Sequence, residues 1–438
     1  MIADVIPVWD RMILRVCKTD KFKAEMLSIS ASLPIREDAY LSSLLMAVLL
    51  RGTKTHPTVA AINRRLDELY GTEISLRNHY LGAEHVIGLC ADVVAKDYQV
   101  AGDMEESVLE GAVDMMRDLF FHPALDENGL LLAHYVESEK QLQCDSIRAQ
   151  KNNPAAYAAE RCAALLWEGT PVGIPILGSE EAVMAVTPQI LTEHWKTLVR
   201  GLSFECFYVG KTQADVIAAT LRDTFGKENG EGLLSKAPSP LFRLPCDRAA
   251  KRGEESLPIT QSHLVLSYDT GVLLGDRDFY AVTVFNELLG GSPVSKLFMN
   301  VRERLGLCYS CHSAYNAYRG TIRVSCGLSE ASLPAAEREI ASQIERISLG
   351  DVTDAEWISA KKSLMGAYRQ MEDSPVSLER FFFGRARACV NASLEESRRA
   401  VEAVEREDVI RIARQLRGVC VFSLHATRDG EVDSDEED

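Results

Sequence analysis

The sequence has no stretch approaching the eighteen apolar residues of a membrane-spanning helix. Its opening, MIADVIPVWDRM, has no basic segment followed by an apolar run, so neither a span nor a secretory leader is expected. A basic surplus is missing too: 48 Lys and Arg stand against 64 Asp and Glu, a formal net charge of −16. Phosphate recognition needs a concentrated basic footprint, so nucleic acid is excluded as a partner. No H-E-x-x-H, no G-x-x-x-x-G-K-[ST] and no G-x-S-x-G occurs, and no other cofactor motif stands out. The eleven cysteines are odd in number and dispersed, which excludes a disulfide framework and fits a reducing, cytoplasmic setting.

What is present is the composition of a folded protein, 46% hydrophobic and 26% charged over 438 residues, enough for two or three domains. Alternating stretches such as Leu27–Ala31 and His85–Leu89 read as half-buried strands. Helical patterns run over Tyr40–Leu50, Pro57–Leu69, Met104–Leu119, Asn128–Gln150, Pro154–Trp167 and Pro188–Val199. Strands and helices in blocks, without regular alternation, predict an α+β fold.

The chain also resembles itself. Leu49-Leu50-Arg51-Gly52-Thr53 matches Leu288-Leu289-Gly290-Gly291-Ser292 at an offset of 239, and Leu66 and Tyr70 meet Leu305 and Tyr309 at the same offset. Two copies of one fold are therefore expected, at 1–227 and 259–429, joined by a Gly-, Lys-, Glu- and Pro-rich linker at 228–258. Six of the last eight residues are acidic, so 430–438 reads as a solvated tail.

Histidine and cysteine offer little on their own. Cys308-Tyr309-Ser310-Cys311-His312 matches the C-x-x-C-H pattern of haem attachment, but that chemistry occurs outside the cytoplasm, and cysteines incidental to a strand are the reading preferred. Leu81-Gly82-Ala83-Glu84-His85 misses an inverted zinc motif by its first ligand, and His85 reads as an ordinary hydrogen-bonded histidine.

Gly290–Phe298, with Gly290-Gly291-Ser292-Pro293-Val294, and Val301-Arg302-Glu303-Arg304-Leu305-Gly306-Leu307-Cys308-Tyr309-Ser310 resemble the second-half signature of pitrilysin/insulinase-like peptidases. Arg51-Gly52-Thr53, Leu66–Thr72 and Pro171–Ser179 resemble first-half segments of the same family, and Lys18–Lys23 with Leu50–Thr53 is most similar to its non-peptidase YfmF-like branch. The resemblance implies two homologous halves, each an antiparallel sheet packed with helices, facing each other.

Active members of that family bind zinc with H-x-x-E-H on a helix and a later glutamate. Counting back from Arg51-Gly52-Thr53 sets Ser43 and Ala47 at the two histidine positions and Met46 at the general base. The third-ligand position falls at Asp145 or Ser146, and the register there stays open. Neither a metal nor a cofactor is expected. Arg302 and Tyr309, seven residues apart, match the family's substrate-holding arginine and oxyanion-stabilising tyrosine. The resemblance thus implies a non-catalytic subunit that supplies these contacts, to a peptide substrate, beside a zinc-bearing homologous partner in a heterodimer. The alternative is an inert binding or scaffold protein of the processing-peptidase type.

Overall fold

The computed structural model describes residues 4–100, 107–228, 239–245 and 249–427. The acidic tail lies outside them, as does much of the linker. The chain forms two compact units that are interleaved in sequence: one is drawn from 1–147, 174–240 and 369–393, the other from 148–173, 241–368 and 394–438.

The first unit is built on a six-stranded sheet of β1 (Asp4–Trp9), β2 (Met12–Lys18), β3 (Ala24–Pro34), β4 (Glu73–Leu81), β5 (Glu84–Val94) and β6 (Phe204–Gly210), in the order β1-β2-β6-β3-β5-β4. All neighbours are antiparallel except β2 and β6. The second unit has five strands, β7 (Lys251–Leu257), β8 (Ser262–Asp269), β9 (Ser310–Asn316), β10 (Thr321–Leu328) and β11 (Arg417–Ala426), ordered β7-β11-β8-β10-β9. Here β7 and β11 are the parallel pair and the rest are antiparallel. Strand for strand, β7-β11-β8-β10-β9 repeats β2-β6-β3-β5-β4 in order and direction. The internal repeat is thus a repeat of topology, α+β in both copies, with one parallel pair in each otherwise antiparallel sheet.

Strand β6 explains how the first core is assembled. All seven of its residues, FECFYVG, are buried, as in a strand covered on both faces. Alternate side chains leave a strand on opposite faces. Phe204 meets Phe120 of the helix Val108–Phe121 with ring centroids 5.5 Å apart, and Phe207 stacks on Phe382 of the helix Pro375–Arg387 at 6.3 Å. The second helix comes from the far end of the chain. Its buried Phe381, Phe382 and Phe383 and its Pro at the first turn show an ordinary amphipathic helix, capped by Ser374. The second unit takes a helix from the first half of the sequence in the same way. Pro154–Trp167 lies on β8 and β11, where Cys162 Sγ contacts Ser267 Oγ at 3.5 Å.

Polar contacts fix the borrowed helix Pro375–Arg387. Arg387 donates two hydrogen bonds to Glu84, of 2.6 and 3.0 Å, and its third nitrogen lies 3.5 Å from Glu205. Arg77 donates to Glu379 at 2.6 Å. The Glu84 side chain has no exposed surface. One helix differs from the sequence reading: the pattern beginning at Asn128 becomes helical only over Ala133–Ala149. Asp126 accepts from the backbone N–H groups of Asn128 and Leu130, both at 2.9 Å, and holds the preceding residues in a turn.

Arg387→Ala is expected to strand the Glu84 carboxylate and to destabilise the first unit by about 3–5 kcal/mol, the usual cost of halving a buried ion pair. Urea unfolding followed by fluorescence measures it, and Glu84→Gln combined with Arg387→Met should recover part of the loss.

Candidate functional site

The helix Ala39–Leu49 carries the three positions assigned to the lost zinc motif. It is apolar on nearly every side, with Leu44, Leu45, Val48 and Leu49 buried. Met46 is 1% exposed and belongs to the core, Ala47 is half-buried, and Ser43 is buried. Gly52, just beyond the helix, sits where an added Cβ would lie 2.5 Å from the Pro57 carbonyl oxygen, which explains the glycine in Arg51-Gly52-Thr53.

Ser43 does not face an open site. Its hydroxyl donates to the Ile176 carbonyl at 2.9 Å, with Asn78 Oδ1 at 3.3 Å. Asn78 Oδ1 in turn accepts from His85 Nε2 at 2.7 Å. The neighbouring Ser42 Oγ lies 2.9 Å from His194 Nε2, and Ser42, His85 and His194 line a small cavity of about 100 Å³. Asp145 and Ser146 are exposed on the helix Ala133–Ala149. From the same helix Gln143 donates to the Tyr40 carbonyl at 3.4 Å and to the Leu177 carbonyl at 2.9 Å, and Glu139 pairs with Arg51, just beyond Ala39–Leu49. Four-residue spacing puts Glu139 and Gln143 on one face. These side chains do not fit a zinc ion: Met46 and Ala47 offer no hard donor and Ser43 is already engaged. Among the described residues no three His, Cys, Asp or Glu side chains form a group suited to a metal. The network of Ser43, Asn78, His85 and the Ile176 carbonyl escaped the sequence reading because its members lie up to 133 residues apart.

Arg302 and Tyr309 lie in the second unit, on either side of a turn. The segment Leu297–Arg304 is wound as a π-helix, a wide turn that recurs at functional positions. It ends at Gly306, whose φ of +59° is left-handed, with the N–H groups of Gly306 and Leu307 bonded back to the carbonyls of Arg302 and Val301. Tyr309 follows, immediately before β9. Arg302, Gly306, Cys308 and Tyr309 border one open cavity of about 370 Å³. The Arg302 guanidinium stacks 4.5 Å from the Phe298 ring centre and lies 3.5 Å from Glu303. Tyr309 is 70% exposed. A tyrosine kept only for packing would cover its ring; this one presents it to solvent together with its hydroxyl.

Burial, reinforced by neighbouring His79 and His194, lowers the pKa of His85 to about 4. Between about 6.5 and 4 the unfolded chain binds a proton at this residue that the folded chain does not, so stability rises with pH through that window and is lost as pH falls. The loss attributable to His85 is expected to approach about 3 kcal/mol at pH 4. Chemical denaturation at stepped pH tests this, and His85→Gln should flatten the profile between pH 6.5 and 4.

Residues 185–364 match the family described as the peptidase M16 inactive domain. The probable inactive metalloprotease YmfF of Bacillus subtilis is 27% identical, covering 94% of this chain and 95% of its own. An uncharacterized zinc protease of the same organism, YmxG, is 24% identical over 70% of this chain and 72% of its own. The crystal structure of a conserved protein from Enterococcus faecalis superimposes with a TM-score of 0.88 at 22% identity, covering 98% of this chain and 100% of that one. The chain is thus similar over 185–364 to the peptidase M16 inactive domain and over 94% of its length to a probable inactive metalloprotease, and its sequence contains no H-x-x-E-H motif.

Proposed function

We propose that this protein is the non-catalytic subunit of a heterodimeric zinc peptidase, giving substrate and oxyanion contacts to a partner that carries the zinc. The observation that supports this reading is the exposure of Tyr309 beside Arg302 at one cavity, together with a first-half helix that has no ligands to offer. A guanidinium fork is suited to a peptide carbonyl or carboxylate. A free phenolic hydroxyl is suited to donate to the oxyanion that forms when water adds to a scissile carbonyl at the partner's metal. The partner expected is a zinc-bearing homologue of similar size, with H-x-x-E-H on the corresponding helix. The division into repeats at 1–227 and 259–429 and a cytoplasmic setting belong to the same proposal; no helix among the described residues is long and apolar enough to cross a membrane.

Co-expression with a zinc-bearing homologue encoded beside this chain tests the proposal. The pair should cleave peptides, and Tyr309→Phe should lower kcat about a hundredfold with little change in KM or in assembly, the usual effect of removing one oxyanion donor. Unchanged turnover in Tyr309→Phe would favour the scaffold alternative. Stoichiometric zinc and peptide cleavage by this chain alone would exclude both.

A further inference from the structure

Strand β10 carries different chemistry on its two faces. Ile322, Val324 and Cys326 are buried on one, while Thr321, Arg323 and Ser325 leave on the other, where Arg323 is exposed. Arg323 stands opposite Ser267 of β8, and Ser267 touches Cys162 of the helix Pro154–Trp167. Directly opposed residues share a face, so Arg323 is on the side that carries this helix. The helix lies over β11 and β8 and touches β10. Between its last turns and the strands β8, β9 and β10 is an open cavity of about 470 Å³, bordered by the turn at 317–320. Ala159, Ala163 and Ala314 leave that space unfilled.

The surroundings of the cavity are fixed by packing. Trp167 is buried, its ring meets Phe242 edge-on with centroids 5.7 Å apart, and the Phe242 N–H donates to the Tyr318 carbonyl at 2.8 Å. The Arg319 guanidinium lies over the Trp167 ring, 5.7 Å from its centre, which keeps one positive charge at the wall. Arg323 supplies a second: it lines the same cavity and, among the described residues, its side chain makes no ion pair or hydrogen bond. The Asn316 carboxamide oxygen accepts from the Tyr318 N–H at 3.1 Å, so its NH2 group is the end left to donate. Among the described residues no Asp or Glu lines the cavity, and Asp269, opposite Thr321 in the ladder, is held by Arg417 at 2.9 Å. In a chain with 64 acidic and 48 basic residues, two guanidiniums without a carboxylate make a local positive field that draws an anion.

We propose that this cavity binds a small anionic ligand, its carboxylate or phosphate head held by Arg323, Arg319 and Asn316 and its apolar body lying against Tyr318 and the alanines. The planar fork of a guanidinium matches either oxyanion. A volume of about 470 Å³ is that of a small-molecule pocket, with room for a ligand of dipeptide size. Because its surroundings are packed beforehand, little ordering opposes binding. The site does not rest on the peptidase-support reading, since Arg302 and Tyr309 border a different cavity.

The full chain is titrated by isothermal calorimetry at low salt with acetyl-Ala-Phe, with the C-terminal amide of the same peptide, and with phenyl phosphate. At least one of the two anions should bind with a Kd of about 1 mM or tighter. Tighter binding of acetyl-Ala-Phe assigns a carboxylate ligand and tighter binding of phenyl phosphate assigns a phosphate; either result supports the site. The amide should bind about tenfold more weakly than the better anion, and Arg323→Gln should weaken that anion about tenfold through loss of a charge-assisted hydrogen bond. Arg338→Gln, which removes an exposed arginine from the helix Leu333–Ser348 of the same unit, should leave the Kd unchanged. The proposal is overturned if neither anion reaches a Kd of about 1 mM, or if the amide binds as tightly as the better anion. Neither of those outcomes needs a variant to fold. Binding by Arg323→Gln at the unmodified affinity, with an unchanged Tm, would overturn it equally, as would an equal loss in Arg338→Gln.

Discussion

Glu84 holds a carboxylate with no access to water, and the fork of Arg387 is what allows it to stay there. Burial raises the pKa of this carboxyl despite the nearby guanidinium, so the charge is held against the preference of its surroundings. Such a pair adds little net stability compared with apolar residues of the same volume, but losing one partner is costly. The asymmetry gives the contact its importance. It marks one position on β5 where the helix Pro375–Arg387 has to arrive, and Arg77 with Glu379 marks a second position on β4. With both made, Phe382 comes to rest on Phe207 and the buried strand β6 is covered on its second face.

The same requirement for two-sided cover runs through the second unit, where Pro154–Trp167 lies on β8 and β11. Each sheet completes its core with a helix from the other half of the sequence, so neither half is expected to bury its sheet fully alone. The repeated strand order shows how a duplicated unit accommodates this. The parallel pair β2 and β6, like β7 and β11, needs a long crossover between its strands, and the exchanged helix lies within the intervening chain in the first case and within its counterpart in the second.

The helix Ala39–Leu49 and the turn around Gly306 belong to different units, and the physics differs between them. At the helix Ala39–Leu49 the positions compared with the zinc motif lie in the interior: Met46 packs in the core, and Ser43 is held by the Ile176 carbonyl beside Asn78 and His85. Restoring histidines there would mean displacing packed atoms as well as changing side chains. At the turn, by contrast, Arg302 and Tyr309 remain at the surface, where a ligand can reach them.

The sequence by itself determined the α+β class and its two sheet-and-helix halves, because these depend on residue type and on short spacing. The spacing of seven from Arg302 to Tyr309, with Gly306 between them, can likewise be counted along the chain. Tertiary structure decided what spacing cannot reach. Asp145 and Ser146 were the candidates for a third-ligand position whose register stayed open; packing makes both exposed and turns Gln143 of the same helix to the Tyr40 carbonyl. The helix exchange was illegible because an amphipathic pattern says that a face is buried without saying against which sheet. Cys311 looked incidental along the chain; only the register of β9 against β10 sets it opposite Cys326, with their sulfurs 2.8 Å apart.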